Sequence, residues 1–240
     1  MMGALDGYVA VITGASSGVG AASARHILRE GGRVVAGARR VERIRELLDG
    51  LDGWTAVEWD VRESAHAERA IATAVAEYGK IDGLIASAGI GMYGGILDHT
   101  DDELQEMLAT NIAGTVWPVR SAVRAMRERG NGGDVVIISS VAGLRGRGNE
   151  AVYAATKHAQ VGLGGGLDKE LHREGIRVST LCPGGIATEF AMGAGRTETS
   201  PELSVMMSAD EVAAQVLWTI TAPANMRTLI HSFRGLGEED

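Results

Sequence analysis

Apolar and polar positions along the chain follow two rhythms. Short runs rich in β-branched and other apolar residues, at 8–12, 33–38, 54–59, 82–86, 135–138, 176–181 and 228–233, read as strands. Between them lie longer stretches of helix formers: 21–30, a segment ending near 78, 101–129 with Thr100 as N-cap, a segment through Tyr153 to about 174, and 209–221. This alternation predicts a Rossmann-like, doubly wound α/β fold: a seven-stranded, mostly parallel sheet with helices on both faces, in three α/β/α layers. No repeat, linker or low-complexity tract marks a boundary, so 1–240 reads as a single domain.

The run 135–138 is apolar throughout, as a parallel strand buried on both faces is, and it places Ser139 and Ser140 at its carboxyl end. In an open parallel sheet, that end is where ligands bind. Tyr153 and Lys157, four residues apart on a helix, share one face about one turn apart. A phenol with a pKa of about 10 is a poor proton carrier at neutral pH unless its anion is stabilised. An ammonium ~4 Å away at an effective dielectric of ~20 contributes up to ~4 kcal/mol, about three pKa units. Tyr153 is therefore expected to titrate near physiological pH. Taken alone, the Tyr-x-x-x-Lys spacing arises easily by chance, and a half-buried aromatic beside a solvated lysine is the better explanation of it.

The first strand runs into Thr13-Gly14-Ala15-Ser16-Ser17-Gly18-Val19-Gly20 and then a helix. Glycines between strand and helix let the backbone approach a pyrophosphate, and the helix N-terminus offers N–H groups and partial positive charge. No Gly-Lys-Ser/Thr follows, which excludes a Walker loop. The second strand ends in Ala38-Arg39-Arg40, where an NAD-binding unit would carry a carboxylate for the ribose 2′-hydroxyl. Arg39 and Arg40 can instead fork onto a 2′-phosphate, so NADP(H) is expected over NAD(H); a solvated basic helix start is the alternative.

Asn111 interrupts the helix 101–129, a position where asparagine competes with the backbone, so it is either solvent-facing or there for a reason. Gly162, Gly164, Gly165 and Gly166 weaken the helix after Lys157 and permit close packing, including between subunits. Segment 189–208, with Phe190 and Met192 among glycines and polar residues, reads as a loop with a short helix: a lid over an apolar pocket, or a plain surface excursion.

With 240 residues, 45% hydrophobic and 22% charged, the composition suits a globular domain. The net charge of −8 argues against a general nucleic-acid or acidic-membrane surface. The single cysteine, Cys182, cannot form an intramolecular disulfide and reads as a buried apolar residue. The first residues lack a signal peptide's basic and apolar regions, and no run of 18 apolar residues occurs, so a cytoplasmic location is expected. No metal site is expected.

Together, the 13–20 loop, Asn111, Ser140, Tyr153 with Lys157, and Pro183-Gly184 followed by Thr188 resemble the single-domain short-chain dehydrogenase/reductases, over nearly the whole chain. The thirteen residues from Ser140 to Tyr153 also suit that family. The resemblance implies that Tyr153 is the general acid, that Ser140 binds the substrate carbonyl, and that Lys157 binds the nicotinamide ribose and lowers the Tyr153 pKa. Asn111 would support a water-linked proton relay. Besides the glycine loop, with Thr13, Ser16, Ser17 and Val19, the cofactor contacts it implies include Asp60, Val61, Ala88 and Gly89, then Pro183, Gly184, Ile186 and Thr188. Where the family often has Asn-Asn-Ala-Gly, this chain has Ala86-Ser87-Ala88-Gly89, a change expected to loosen the cofactor pocket unless Ser87 compensates.

The expected function is NADP(H)-dependent reduction of a ketone or aldehyde, or oxidation of the matching alcohol, by a homodimer or homotetramer. Arg39-Arg40 and the carboxyl-terminal segment resemble, more distantly, clavulanate-type and 3-hydroxy acid dehydrogenases. Met92 and Tyr93 are expected in the substrate pocket. Arg145 and Arg147 either meet a substrate carboxylate or belong to a solvated loop. A non-catalytic NADP(H) sensor, and a dehydratase or epimerase of related fold, are the competing readings.

Overall fold

The computed structural model describes residues 3–238; the outermost positions of the expected domain, 1–2 and 239–240, lie outside the described residues. Seven strands, β1 (Val9–Thr13), β2 (Arg33–Ala38), β3 (Trp54–Glu58), β4 (Gly83–Ala86), β5 (Gly133–Ile138), β6 (Ile176–Pro183) and β7 (Ile230–Phe233), form one sheet in the order β3-β2-β1-β4-β5-β6-β7. Every pairing is parallel.

The strand pattern explains the layering. Along β1, Ala10 and Ile12 point to one face while Val9 and Val11 point to the other, the period of two of a pleated strand. On the first face these residues meet α1 (Gly18–Arg29), α2 (Val41–Leu48) and α7 (Ala209–Ile220) through Ile27, Ile44, Leu48 and Val216. On the second they meet α3 (Ser64–Tyr78), α5 (Gly114–Arg129) and α6 (Ala151–Leu171) through Ile71, Met126 and Leu171. Strand order reverses between β1 and β4, whose following loops diverge to opposite faces and open a crevice at the strands' carboxyl ends.

Two expected elements differ. The first helix begins at Gly18 rather than near 21, because two of the loop's glycines already belong to its first turns. The stretch 101–129 is not one helix: α4 (Asp101–Leu108) passes through a π-helical turn, Ala109–Ala113, into α5. The wider turn brings Asn111, which is fully buried, into the core, and such turns recur at functional sites. At the start of α4, Thr100 caps as expected, its hydroxyl accepting from Glu103 N–H while the Glu103 carboxylate accepts from Thr100 N–H at 2.8 Å. Cys182 is buried in β6, where burial pushes its thiol pKa up, as suits a core residue.

Candidate active site

The crevice is a cleft of about 1170 Å³ running from the ends of β2 and β3 to segment 189–208. Most of the residues singled out in the sequence line it. Ser16, Ser17, Gly18 and Val19 do so at the start of α1; Arg39, Arg40, Asp60 and Val61 at the ends of β2 and β3; Ala88 and Gly89 after β4. Ser140, Tyr153 and Lys157 stand at its centre, with Pro183, Gly184, Ile186 and Thr188 on the β6 side. Met92, Tyr93, Arg145, Phe190 and Met192 line the far end, and Arg147 joins them. Thr13, Gly20 and Asn111 do not reach the cleft; they brace its wall from behind.

This wall fits a dinucleotide. Gly14 has φ +71°, and a Cβ on it would lie 2.9 Å from Ala88 Cα, so only glycine lets the loop after β1 sit against the loop after β4. A Cβ on Gly20 would lie 2.5 Å from the Gly14 carbonyl oxygen, so a side chain there would push the helix off the loop. The N-cap Ser17 makes no side-chain capping bond, so α1 presents its N-terminal N–H groups at the cleft floor, the arrangement that receives a pyrophosphate.

Thr13 answers the question raised by Ala86-Ser87. Its hydroxyl accepts from the N–H groups of Ser87 and Ala88, each at 3.0 Å. From the other side, Asn111 Oδ1 accepts from Ile90 N–H at 2.9 Å and Nδ2 donates to the Ile90 carbonyl at 2.8 Å. The loop after β4 is thus pinned by a threonine and an asparagine from other elements, and the expected loosening is offset.

At the end of the cleft beside β2, no carboxylate directly follows the strand. Arg39 and Arg40 have exposed side chains at the rim, Arg39 within 3.8 Å of Glu106 and Arg40 within 3.8 Å of Glu189. Asp60 is clasped by Arg62, which holds its carboxyl below the usual carboxylate range. Arg43 hydrogen-bonds Glu189 and so ties α2 to the beginning of segment 189–208. Arg62 and Glu106 carry no sequence signal because neither sits in a motif; an ion pair at 3.6 Å joins Glu106 on α4 to Arg62 after β3.

Ser140 is extended and begins a 3₁₀ turn, Val141–Gly143, its Oγ accepting from Ala142 N–H at 3.1 Å. Tyr153 faces it from α6, and their side-chain hydrogen bond works against a strong rise in the phenol pKa caused by burial. Tyr93 and Phe190 pack around the phenol ring, both with centroids at 5.8 Å, and give the far end an apolar wall. Arg196 stacks over the Tyr93 ring at 5.8 Å, a contact no sequence pattern signals.

Lys157 Nζ lies 5.7 Å from the Tyr153 ring centre and donates to the Ile138 carbonyl at 3.1 Å and to Gln160 Oε1 at 2.9 Å. Burial lowers its pKa to about 8. The expectation that Lys157 brings Tyr153 near neutrality is therefore corrected. Both side chains are buried, and removal from water raises the phenol well above its ordinary value, with the Ser140 hydrogen bond and Arg196 acting only partly against it. The phenol stays protonated at neutral pH.

Asn111 is held by protein partners through both its backbone and its side chain. Its carbonyl accepts from Thr115 Oγ1 at 2.8 Å and from Gln160 Nε2 at 3.0 Å, which uses both lone pairs inside the protein. Its Nδ2 donates a second bond, at 3.0 Å, to Thr156 Oγ1, which donates to the Tyr153 carbonyl at 2.7 Å. Asn111 fixes the helix that carries Tyr153.

A parallel sheet with a glycine-lined cleft at its switch point, and Ser, Tyr and Lys converging beside that cleft, defines a dinucleotide-binding oxidoreductase. The short chain dehydrogenase family model matches residues 8–199, and the chain belongs to this family. An uncharacterized NAD-dependent oxidoreductase of Mycobacterium tuberculosis is 31% identical, over 90% of each chain. Among solved structures, the closed form of a serine dehydrogenase complexed with NADP+ superposes with a TM-score of 0.90 at 28% identity, covering 97% of this chain and 96% of that one. An alcohol dehydrogenase from Thermococcus sibiricus, complexed with 5-hydroxy-NADP, gives a TM-score of 0.86 at 26% identity, over 97% and 98%. No helix among the described residues is long and apolar enough to cross a membrane.

Proposed function

We propose that the protein is an NADP(H)-dependent reductase of ketones or aldehydes, working in reverse on the matching alcohols. The observation that carries this reading is the convergence of a protonated phenol, a serine hydroxyl and a lysine ammonium on one cleft. The α1 N-terminus and the glycine loop would hold the pyrophosphate, Asp60, Val61, Ala88 and Gly89 the adenosine and central part, and Pro183, Gly184, Ile186 and Thr188 the nicotinamide end. Lys157 has three N–H donors and spends two on protein, which leaves one for a ribose hydroxyl. When bound, the reduced nicotinamide supplies a hydride to the carbonyl carbon. Ser140 donates a hydrogen bond to the carbonyl oxygen and Tyr153 delivers the proton that this oxygen takes up; both stabilise charge as it develops. The apolar wall of Met92, Tyr93 and Phe190 suits a hydrophobic substrate body, with Met192, Arg145 and Arg147 at its edge.

NADP(H) is favoured over NAD(H) by Arg39 and Arg40 standing where a ribose-binding carboxylate would stand. Fluorescence titration with NADPH and NADH, then a panel of ketones, aldehydes and 3-oxo esters, tests cofactor and reaction together. Arg39→Ala is expected to weaken NADPH binding roughly tenfold or more, the loss of a charge-assisted bond, and to leave NADH binding within about twofold. Tighter binding of NADH by the unmodified protein would overturn the cofactor assignment.

In the same reading the chain is one catalytic unit located in the cytoplasm, and 189–208 is its lid, tethered through Glu189. The protein assembles as a homodimer or homotetramer, supported by exposed Gly162, Gly165 and Gly166 on α6 and by exposed Trp218, Leu229 and Ile230 around α7 and β7. Light scattering coupled to gel filtration is expected to give a multiple of 25.1 kDa, and a monomer at micromolar concentration would exclude the assembly.

A further inference from the structure

Behind the catalytic face, α6 carries a second polar side chain that neither the motifs nor the family match assigns. Gln160 follows Lys157 by three residues and is 1% exposed. Its Oε1 accepts from Lys157 Nζ at 2.9 Å, while its Nε2 donates to the Asn111 carbonyl at 3.0 Å and to Thr115 Oγ1 at 2.8 Å. The amide cannot be turned round: an ammonium only donates and a peptide carbonyl only accepts, so the neighbours fix which end is oxygen. Each hydrogen of Nε2 has a partner, and Lys157, Asn111 and Thr115 are at most 4% exposed. In such a dry setting a complete network is stiff, and losing one acceptor is felt in full by the charged donor.

We infer that Gln160 is a positioning residue for Lys157, holding its ammonium from behind with an acceptor that never titrates and anchoring it to the π-helical turn. This inference rests on the reductase reading for its catalytic consequence, but the grip on Lys157 is independent of it. Two features single out the carboxamide for this task. The Ile138 carbonyl, the other acceptor of Lys157, belongs to the end of β5 and holds Nζ from the sheet side; Gln160 holds it from the α5 side, so the two together fix its direction toward the cleft. A carboxylate in the same place would form a buried ion pair and compete with Tyr153 for the positive charge, whereas a neutral oxygen leaves that charge available to the phenol. The titratable groups that face Lys157 are Tyr153 on its own helix and Cys182 on β6; the groups from the π-turn and α5 are neutral.

The chain has three lysines, Lys80, Lys157 and Lys169, so ¹³Cε-lysine NMR resolves the titration of Lys157 directly, with no need for turnover. In Gln160→Met, which keeps volume and removes the acceptor, the Lys157 midpoint is expected to fall by roughly one pH unit, as loss of a hydrogen bond to the charged form requires. In Gln160→Glu it is expected to rise by a similar amount. The same Met variant should lower kcat for carbonyl reduction about tenfold or more, with the NADPH Kd and the substrate KM within about twofold. Lys157 midpoints within ~0.3 unit of the unmodified protein in both variants would overturn the inference, since a real change of acceptor must move them. A KM rise with unchanged kcat would overturn its catalytic part. If the unmodified protein reduces no carbonyl, the reductase reading falls while the NMR shifts still decide the role of Gln160.

Discussion

Replacing Tyr153 by phenylalanine is expected to lower kcat for carbonyl reduction by roughly a thousandfold, while NADPH binds within about twofold of the unmodified affinity. The phenyl ring keeps the packing against Tyr93 and Phe190, so the substitution removes one O–H and little else. Burial holds that O–H protonated at neutral pH, which suits a proton donor in reduction. The pH dependence should show it. Reduction requires the phenol and the Lys157 ammonium together, so kcat/KM is expected to hold at lower pH and fall as pH rises through about 8, where Lys157 loses its proton. Alcohol oxidation needs phenolate and should respond in the opposite sense, gaining as pH rises until the ammonium is lost. Steady-state rates in both directions for Tyr153→Phe and the unmodified protein check these points. More than about a tenth of the original kcat in the variant would remove Tyr153 from the chemistry.

The second large effect is on stability and lies at the opposite end of the sheet. Asp134, at the start of β5, is 7% exposed and accepts from Arg177 Nε at 2.7 Å and from the Tyr8 hydroxyl at 3.1 Å. Arg177 in turn donates to the Ile220 and Ala222 carbonyls at 3.1 and 2.9 Å, closing the carboxyl end of α7. Asp134→Ala leaves a mostly buried guanidinium without its counter-charge, a loss of about 3–5 kcal/mol. For a domain of this size that corresponds to a fall in Tm of roughly 10 °C. Asp134→Asn keeps an acceptor for Arg177 and should lose less. Because the cluster sits at the amino ends of the strands, both variants should retain cofactor affinity when folded. Thermal and denaturant unfolding measure the loss, and a change under about 1 kcal/mol for Asp134→Ala would show that the ion pair merely offsets its own desolvation.

The order of strands and helices, and most of the residues that line the cleft, were legible in the sequence because each signal is local. A continuous apolar run such as 135–138 suits a strand buried on both faces, four-residue spacing places Tyr153 and Lys157 on one helix face, and glycine between strand and helix marks a close backbone approach. Gln160 was equally visible at three residues from Lys157, but a glutamine on a helix is ordinarily solvated, so spacing alone gave it no meaning. What only the tertiary structure decided concerns contacts between distant segments. The π-helical turn turns Asn111 inward, where its backbone carbonyl accepts from Thr115 and Gln160. Thr13 and Asn111 together secure a loop whose own sequence lacks the usual amides. The Tyr153 expectation differs for the same reason: sequence shows that two groups are near, whereas burial, which raises the phenol and lowers the ammonium, is set by everything packed around them.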